Sequence, residues 1–210
     1  MPRSYRLGER AVQIRATRER IVEAAIELYT ELGISATTMR RIAARADVAP
    51  GTLRNHFPTR TDLDAAMVER LTSEAPLPDL SIFDGACSID ERLARLVRVT
   101  GTFLDQAAQL YRMWLREPMV TGVWTEAGAI YGARWDELMR RALGPLADDD
   151  DAMAVLRAVL DLPFFEKVRA GRRTTDEVCA LITEAIVPWY SARSEGRLRN
   201  DARVGPVVAP

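Results

Sequence analysis

The stretch TTMRRIAARADVAPGTLRNHFPTRTDL, residues 37–63, decides the fold of this chain. Met39, Ile42 and Ala43 have the spacing of one inward-facing side of a short helix. The four residues after Arg45 indicate a tight turn, and Pro50 stands where a proline can open the next helix at no cost. Two short helices joined by such a turn form a helix-turn-helix, whose second helix fits the major groove of DNA.

Helical periodicity extends outward from this stretch, and strand signals are absent from the sequence. One helix precedes it and ends at Gly33, and a fourth helix starts near Thr61. After a linker at 75–88, a long amphipathic helix starts at Ile89, a short segment spans Leu110–Leu115, and a helix runs from Pro118 to Leu143. The last two helices are expected at about 150–170 and 174–187, bent by Pro163 and Pro188. The predicted fold is all-α, with a three-helix helix-turn-helix head and a larger helical body for ligand binding and dimerisation.

The predicted domain organisation has four segments. Residues 1–16 form a basic N-terminal arm, 17–64 the helix-turn-helix DNA-binding domain, and 65–190 the helical regulatory and dimerisation domain. Residues 191–210 are polar with Pro and Gly, which predicts a mobile tail.

The charge of the chain is unevenly distributed. The whole sequence has a net charge of −1, but residues 1–60 hold 11 Arg and 6 acidic residues, a net of +5. A basic N-terminal part on an acidic remainder suits a protein of which one end approaches a polyanion. Apolar runs are too short for a membrane span and the N-terminus lacks a signal-peptide pattern, which predicts a cytoplasmic protein without membrane association. The two cysteines, Cys87 and Cys179, are too few for a disulfide framework or a zinc cluster, and we expect no metal and no cofactor.

The residues 37–63, with the preceding ATRERIVEAAIELYTELGI at 16–34, closely resemble the DNA-binding domain of the tetracycline-repressor (TetR) family. The resemblance implies an operator-binding regulator that releases DNA when a small molecule binds. Departures from the family pattern are Arg54 and Arg60, where the family usually has Tyr and Lys that touch phosphates. Asp47 replaces the usual turn glycine, and Ala49 replaces a capping serine.

Side chains that can reach DNA cluster on the two short helices. Thr52, Asn55 and His56 are compact donors for phosphates or base edges. Thr38 and Arg41 start the second helix, where the helix N-terminus attracts phosphate. Gly51 allows close approach of the backbone to its neighbours or to DNA. With the two positions carried over from the family, the predicted DNA-binding residues are Thr38, Arg41, Gly51, Thr52, Arg54, Asn55, His56 and Arg60.

Two interpretations are open for five N-terminal arginines, Arg3, Arg6, Arg10, Arg15 and Arg18. They form either an arm for the minor groove or a disordered, solvated tail. The sequence alone does not choose between them.

Aromatic residues concentrate in the predicted body. At helical spacing they are either plain core or the wall of a pocket for a flat, hydrophobic ligand, with gaps at two glycines. The candidate pocket residues are Phe103, Tyr111, Trp114, Trp124, Gly128, Tyr131 and Trp135.

The last two helices are the dimer elements that the family resemblance implies. Their apolar stripe faces either a second copy or the monomer's own core, and we favour the dimer because one recognition helix reads few base pairs. The candidate interface residues are Val178, Leu181, Ile182, Ala185 and Ile186.

These observations predict a homodimeric, sequence-specific regulator of transcription that binds a double-stranded DNA operator. The leading hypothesis is a repressor released by a small hydrophobic or aromatic effector. The alternative is the same head without a small-molecule pocket, controlled by a protein partner. An enzyme that uses the head for targeting is disfavoured, because no phosphate loop, catalytic cluster or activated nucleophile is apparent.

Overall fold

The computed structural model describes residues 3–117 and 122–203, and within them all regular structure is helical. This confirms the predicted fold class. The helices are α1 (Arg3–Leu32), α2 (Met39–Arg45), α3 (Pro50–His56), α4 (Arg60–Glu74), α5 (Ile89–Arg116), α6 (Val123–Leu143), α7 (Asp150–Val159), α8 (Leu162–Arg169) and α9 (Thr175–Arg203). Two 3₁₀ turns, Leu80–Phe83 and Gly144–Leu146, precede α5 and follow α6. No helix of these residues is both long and apolar enough to cross a bilayer.

The chain forms two compact units. The head unit comprises residues 1–75 and 109–130, and the body unit comprises 76–108 and 131–210. In the head unit, α1 packs on α2 and α4, and α2 packs on α3. Its core contains Tyr29 of α1, Ile42 of α2 and Leu53 of α3, all buried.

The body unit is built around the buried faces of α5 to α9. Leu93 and Leu96 of α5 are fully buried, as are Leu156 of α7 and Val178 of α9. The helices α5 and α9 approach each other closely at Gly101. A side chain at this position would collide with Cys179. Cys179 is buried and its thiol pKa is raised mainly by this burial, whereas Cys87 is exposed.

Three predicted boundaries in the body are corrected by the structure. The helix α5 continues to Arg116, so Leu110–Leu115 is not a separate segment. A single helix at 150–170 is replaced by α7 and α8, because Pro163 stands in the first turn of α8 and Asp161 caps its start. The helix predicted from Pro118 begins at Val123, and Pro118 itself lies outside the described residues.

The two ends of the chain are also helical where they are described. The helix α1 starts at Arg3, so the predicted N-terminal arm is neither an extended strand nor a disordered tail from that point on. The helix α9 continues through Pro188 to Arg203, which contradicts a mobile tail over 191–203. Tertiary contacts hold it: the buried Tyr190 hydroxyl donates to the Ala152 carbonyl at 2.8 Å, and Arg193 pairs with the Asp149 carboxylate at 2.7 Å.

Candidate nucleic-acid interface

The start of α2 is fixed to the end of α1. Thr37 is buried, and its hydroxyl donates to the carbonyls of Leu28 and Gly33 at 3.2 and 2.8 Å. Thr38 is the N-cap of α2, and its side-chain oxygen accepts from the Arg41 backbone N–H at 3.3 Å. Thr38 therefore completes the helix end that is predicted to face phosphate.

The turn between α2 and α3 depends on Asp47. Its φ is +51°, a left-handed conformation that Asp tolerates better than most residues. The Val48 N–H then donates to the Ala43 carbonyl at 3.0 Å, which closes the turn. Ala49 caps α3 without a side-chain hydrogen bond, as the sequence predicts, and Pro50 occupies the first turn.

The recognition helix α3 has one buried and one open side. Leu53 and Phe57 are 2% and 1% exposed and belong to the head core. Gly51, Arg54 and Asn55 are exposed, and Thr52 and His56 are half-buried. The five residues predicted for this helix thus lie outside the core, on the part of α3 that a DNA groove could reach.

The arginines of α2 differ in whether their guanidinium groups are free to bind DNA. The Arg41 guanidinium donates to the Ala36 carbonyl at 2.9 Å and remains exposed. Arg45 is bound to the Glu27 and Glu31 carboxylates of α1 at 3.0 and 2.8 Å, and the hydrogen bond from Arg45 lowers the pKa of Glu31. Arg40 is exposed in the first turn of α2 and has no ion pair among the described residues. Arg40 is absent from the DNA-binding residues predicted from the sequence.

Arg60 has a structural environment that the sequence did not predict. Its guanidinium lies 5.1 Å from the centre of the Tyr29 ring and donates to the carbonyls of Thr37 and Ile34. It also stands 3.8 Å from the Asp64 carboxylate. These bonds join α4 to the segment before α2. The Arg60 side chain is still 37% exposed, and its contact with phosphate stays a prediction.

A buried polar cluster joins α1, α4 and the first turn of α6 within the head unit. The Tyr29 hydroxyl donates to the Asp64 carboxylate, and the Trp124 ring lies 6.2 Å from the Tyr29 ring. Burial raises the pKa of Asp64, an effect that Tyr29, Arg60 and Trp124 partly oppose. Burial and the neighbouring carboxylate raise the pKa of Tyr29, so its hydroxyl stays protonated as a donor.

The predicted pocket residues do not form one group. In the body unit, Tyr131 and Trp135 each lie against Phe103, with ring centres 5.8 and 5.0 Å from the Phe103 ring. Trp124 belongs to the head core. Tyr111 and Gly128 are half-buried residues of the head unit, and the Trp114 side chain lies outside the described residues. The space beside Gly132 is solvent, because this residue is exposed, so the sequence-based argument for a gap there is wrong.

The predicted dimer residues lie on two sides of α9. Val178, Ile182 and Ile186 are buried in the single chain, at 0%, 2% and 7% exposure, so these three belong to the body core. Leu181 and Ala185 are exposed. An exposed apolar stripe continues from them along α9, at spacings of three and four residues, through Pro188 and Ala192, with Trp189 at its edge 40% exposed. We call these five residues the α9 outer stripe.

Fold and site together define a DNA-binding regulator of the helix-turn-helix class, and comparisons with known proteins identify the family of its DNA-binding domain. Residues 21–67 match the family model of bacterial regulatory proteins of the tetR family. The HTH-type transcriptional repressor KstR of Rhodococcus jostii is 28% identical over 160 residues, covering 69% of this chain and 68% of KstR. The chain thus carries a DNA-binding domain of the tetR family and is similar to transcriptional regulators such as KstR.

Solved structures agree with this fold. HlyIIR, a hemolysin II transcriptional regulator, has a TM-score of 0.58 at 16% identity, covering 81% of this chain and 98% of HlyIIR. A transcriptional regulator from Saccharomonospora viridis in complex with choline has a TM-score of 0.56 at 20% identity, covering 82% of this chain and 96% of that protein. The names of these relatives describe regulators of transcription.

Gly51 offers a test of close approach to DNA. A methyl group at Gly51 would meet no other atom of the described protein within 4 Å, so the fold itself does not require glycine there. We expect Gly51→Ala to raise the free energy of unfolding by up to about 1 kcal/mol, because alanine suits a helix better. The same change should weaken DNA binding, because the methyl group would lie between the backbone and the duplex. Thermal unfolding and fluorescence anisotropy measure the two effects separately, and unchanged affinity would show that DNA does not approach this residue.

Proposed function

We propose that this regulator is a repressor that binds a palindromic operator as a homodimer and leaves it when a small hydrophobic molecule binds. The observation that carries the proposal is the division of α3, with Leu53 and Phe57 in the core and Arg54 and Asn55 exposed. The similarity to KstR, whose name describes a repressor, supports the direction of regulation. Because an operator-binding protein acts on the chromosome, the proposal places it in the cytoplasm.

Within the interface, we assign different roles to arginines and to short polar residues. Arg40, Arg41 and Arg54 contact phosphates, since long cationic side chains bind the backbone of any sequence. Thr52 and Asn55 contact base edges. Their side chains are short, so they reach only the groups in the major groove that α3 itself approaches. Thr38 contacts a phosphate at the N-terminus of α2, which attracts anions. His56, the last residue of α3, contacts a phosphate through a ring N–H.

Operator binding tests this assignment. The probe is a fluorescent duplex that the wild-type protein selects from a randomised library. Arg54→Ala should weaken binding to the selected duplex and to a random duplex alike, and reduce the slope of log K against log salt by about 0.9 for each phosphate that is no longer bound. Asn55→Ala should cost about 1–3 kcal/mol on the selected duplex and much less on the random one. If both variants weakened the two duplexes equally, Asn55 would be a phosphate contact. If the wild-type protein selected no sequence at all, the proposed function would fail.

The homodimer uses the α9 outer stripe in our proposal. An exposed helix face of this kind is typical of a surface that is covered by a partner. A two-fold dimer presents two recognition helices to a palindrome, which provides the specificity that one short helix lacks. Leu181 and Ala185, which the sequence predicts at the interface, remain in it, and Pro188, Trp189 and Ala192 join them.

The effector is proposed to bind beside the aromatic group of Phe103, Tyr131 and Trp135 in the body unit. Trp135 is half-buried, so a flat hydrophobic compound can reach its ring. The choline complex of the Saccharomonospora viridis regulator supports a small-molecule effector in a protein of this fold.

Tryptophan fluorescence and DNA release test the effector proposal together. Among flat hydrophobic compounds, those that quench the fluorescence should weaken operator binding about 5–150-fold, the usual range of coupling between two sites. Trp135→Ala should abolish release while leaving operator affinity without the compound unchanged. Release that persists in this variant would place the effector elsewhere, and a protein-controlled regulator would gain support if no compound acted.

A further inference from the structure

The first helix extends far beyond the head core. The helix α1 begins at Arg3, but Ile21 is the first buried residue among those from residue 9 onward whose side chains are described. Residues 3–20 therefore form a helical projection about 27 Å long, at 1.5 Å per residue. We call these residues the α1 extension.

Most of the positive charge of the N-terminal part lies in this projection. Residues 1–20 contain six arginines and two glutamates, a net of +4, whereas residues 21–60 have a net of only +1. Within 21–60, Arg45 is bound to two carboxylates and Arg60 to the head's own carbonyls. By contrast, Arg10 and Arg15 are exposed and have no ion pair among the described residues. The extension is thus the larger source of free cationic charge.

Arg18 shows which side of α1 faces the end of the recognition helix α3. The Arg18 guanidinium lies 4.9 Å from the centre of the Phe57 ring, at the C-terminal end of the recognition helix α3. Arg18 and His56 also line the same open cleft of about 420 Å³. Around α1, Arg15 and Arg10 lie about 60° and 80° from Arg18, whereas Arg20 lies about 160° away. Arg15 and Arg10 therefore lie on either side of Arg18, about 140° apart, both within the half of α1 that is centred on the direction of α3.

We propose that the α1 extension is a second DNA-contacting element, in which Arg10 and Arg15 bind phosphates outside the base pairs that α3 reads. The inference rests on the proposed operator-binding function. A regular helix cannot lie in the narrow minor groove as an extended arm does, so its arginines reach the phosphate backbone. The exposed Val12 and Ile14 lie about 200° apart around the helix and form no continuous apolar seam, so charge complementarity favours DNA over a protein partner.

The test compares two lengths of one duplex with the full-length protein. The duplex selected by the wild-type protein is made once as the palindrome alone and once with a further helical turn on each side. The flanking turns should increase wild-type affinity. Arg10→Gln and Arg15→Gln should each reduce the salt slope on the long duplex by about 0.9 for each protomer bound, and have little effect on the short one.

Arg20→Gln is the matched control for Arg15→Gln, because it removes the same charge from an exposed position about 140° from Arg15 and about 160° from Arg18 around the helix. Circular dichroism checks that all variants keep their helices. If Arg15→Gln and Arg20→Gln behaved alike while the palindrome was still bound, the extension would not contact DNA and the proposed function would stand. Equal reductions in affinity on the long and short duplexes would also overturn the proposal. If the wild-type protein selected no duplex, the proposed function itself would have failed.

Discussion

Replacing Leu181 and Ala185 of the α9 outer stripe with glutamate is expected to convert the proposed dimer into folded monomers. An unpaired carboxylate in an apolar interface costs several kcal/mol, and each protomer would contribute two of them. Since about 1.4 kcal/mol corresponds to a tenfold change, the dimer dissociation constant should rise by at least about 1000-fold. Sedimentation velocity measures the change, and operator affinity should fall with it because a monomer reads only half of a palindrome.

Two controls separate this result from unfolding. Ala133→Glu introduces the same charge at an exposed alanine of α6 in the body unit and should leave the dimer intact. Glutamate at Ile182, which is 2% exposed, should instead unfold the body unit, because it buries a carboxylate in the monomer core. A Leu181→Glu, Ala185→Glu protein that still sedimented as a dimer would place the interface on another surface.

Gly101→Ala is expected to destabilise the body unit even though alanine favours a helix. The added methyl group would lie well inside van der Waals contact of the Cys179 sulfur, 3.1 Å from Thr175 Cγ2 and 3.3 Å from Phe165 Cε1. Overpacking of this kind costs about 1–3 kcal/mol, which should exceed the helix-propensity gain of up to about 1 kcal/mol. Each net kcal/mol of destabilisation should lower the Tm by about 2–4 °C in a chain of this size.

The contact with Cys179 can be isolated by a double-mutant cycle. Cys179→Ala removes the sulfur, so Gly101→Ala should cost less in that background, with a coupling free energy of about 0.5–3 kcal/mol. Gly132→Ala is the matched control, because a methyl group there meets nothing within 4 Å and should stabilise the helix slightly. Additive effects of the two substitutions would show that α5 and α9 move apart to accommodate the methyl group.

The head was predictable because its signals are local. Gly33 has a φ of +89° where α1 ends, Pro50 lies in the first turn of α3, and the inward residues Ile42 and Leu53 are buried as the spacing requires. The partners of Arg60 were not predictable, because they depend on carbonyl groups brought near by the folding of α1 and α2.

The body was less predictable for two physical reasons. Pro188 is normally read as the end of a helix, but tertiary contacts of Tyr190 and Arg193 hold α9 beyond it. The apolar residues of α9 cover both of its sides, and periodicity alone does not show which side the monomer buries. Ile186 and Tyr190 are four residues apart, which is the spacing of one helix face. This spacing was the signal in the sequence that α9 continues past Pro188.

The unequal exposure of the two cysteines makes this protein suitable for site-selective spectroscopy without engineering. Cys87 is open to solvent in front of α5, whereas the Cys179 thiol is enclosed and its raised pKa disfavours the reactive thiolate. A maleimide dye or a nitroxide should therefore attach at Cys87 in the folded protein. In a two-fold assembly, this gives one label on each copy, and the distance between paired labels would report any rearrangement of the bodies when DNA or an effector is added.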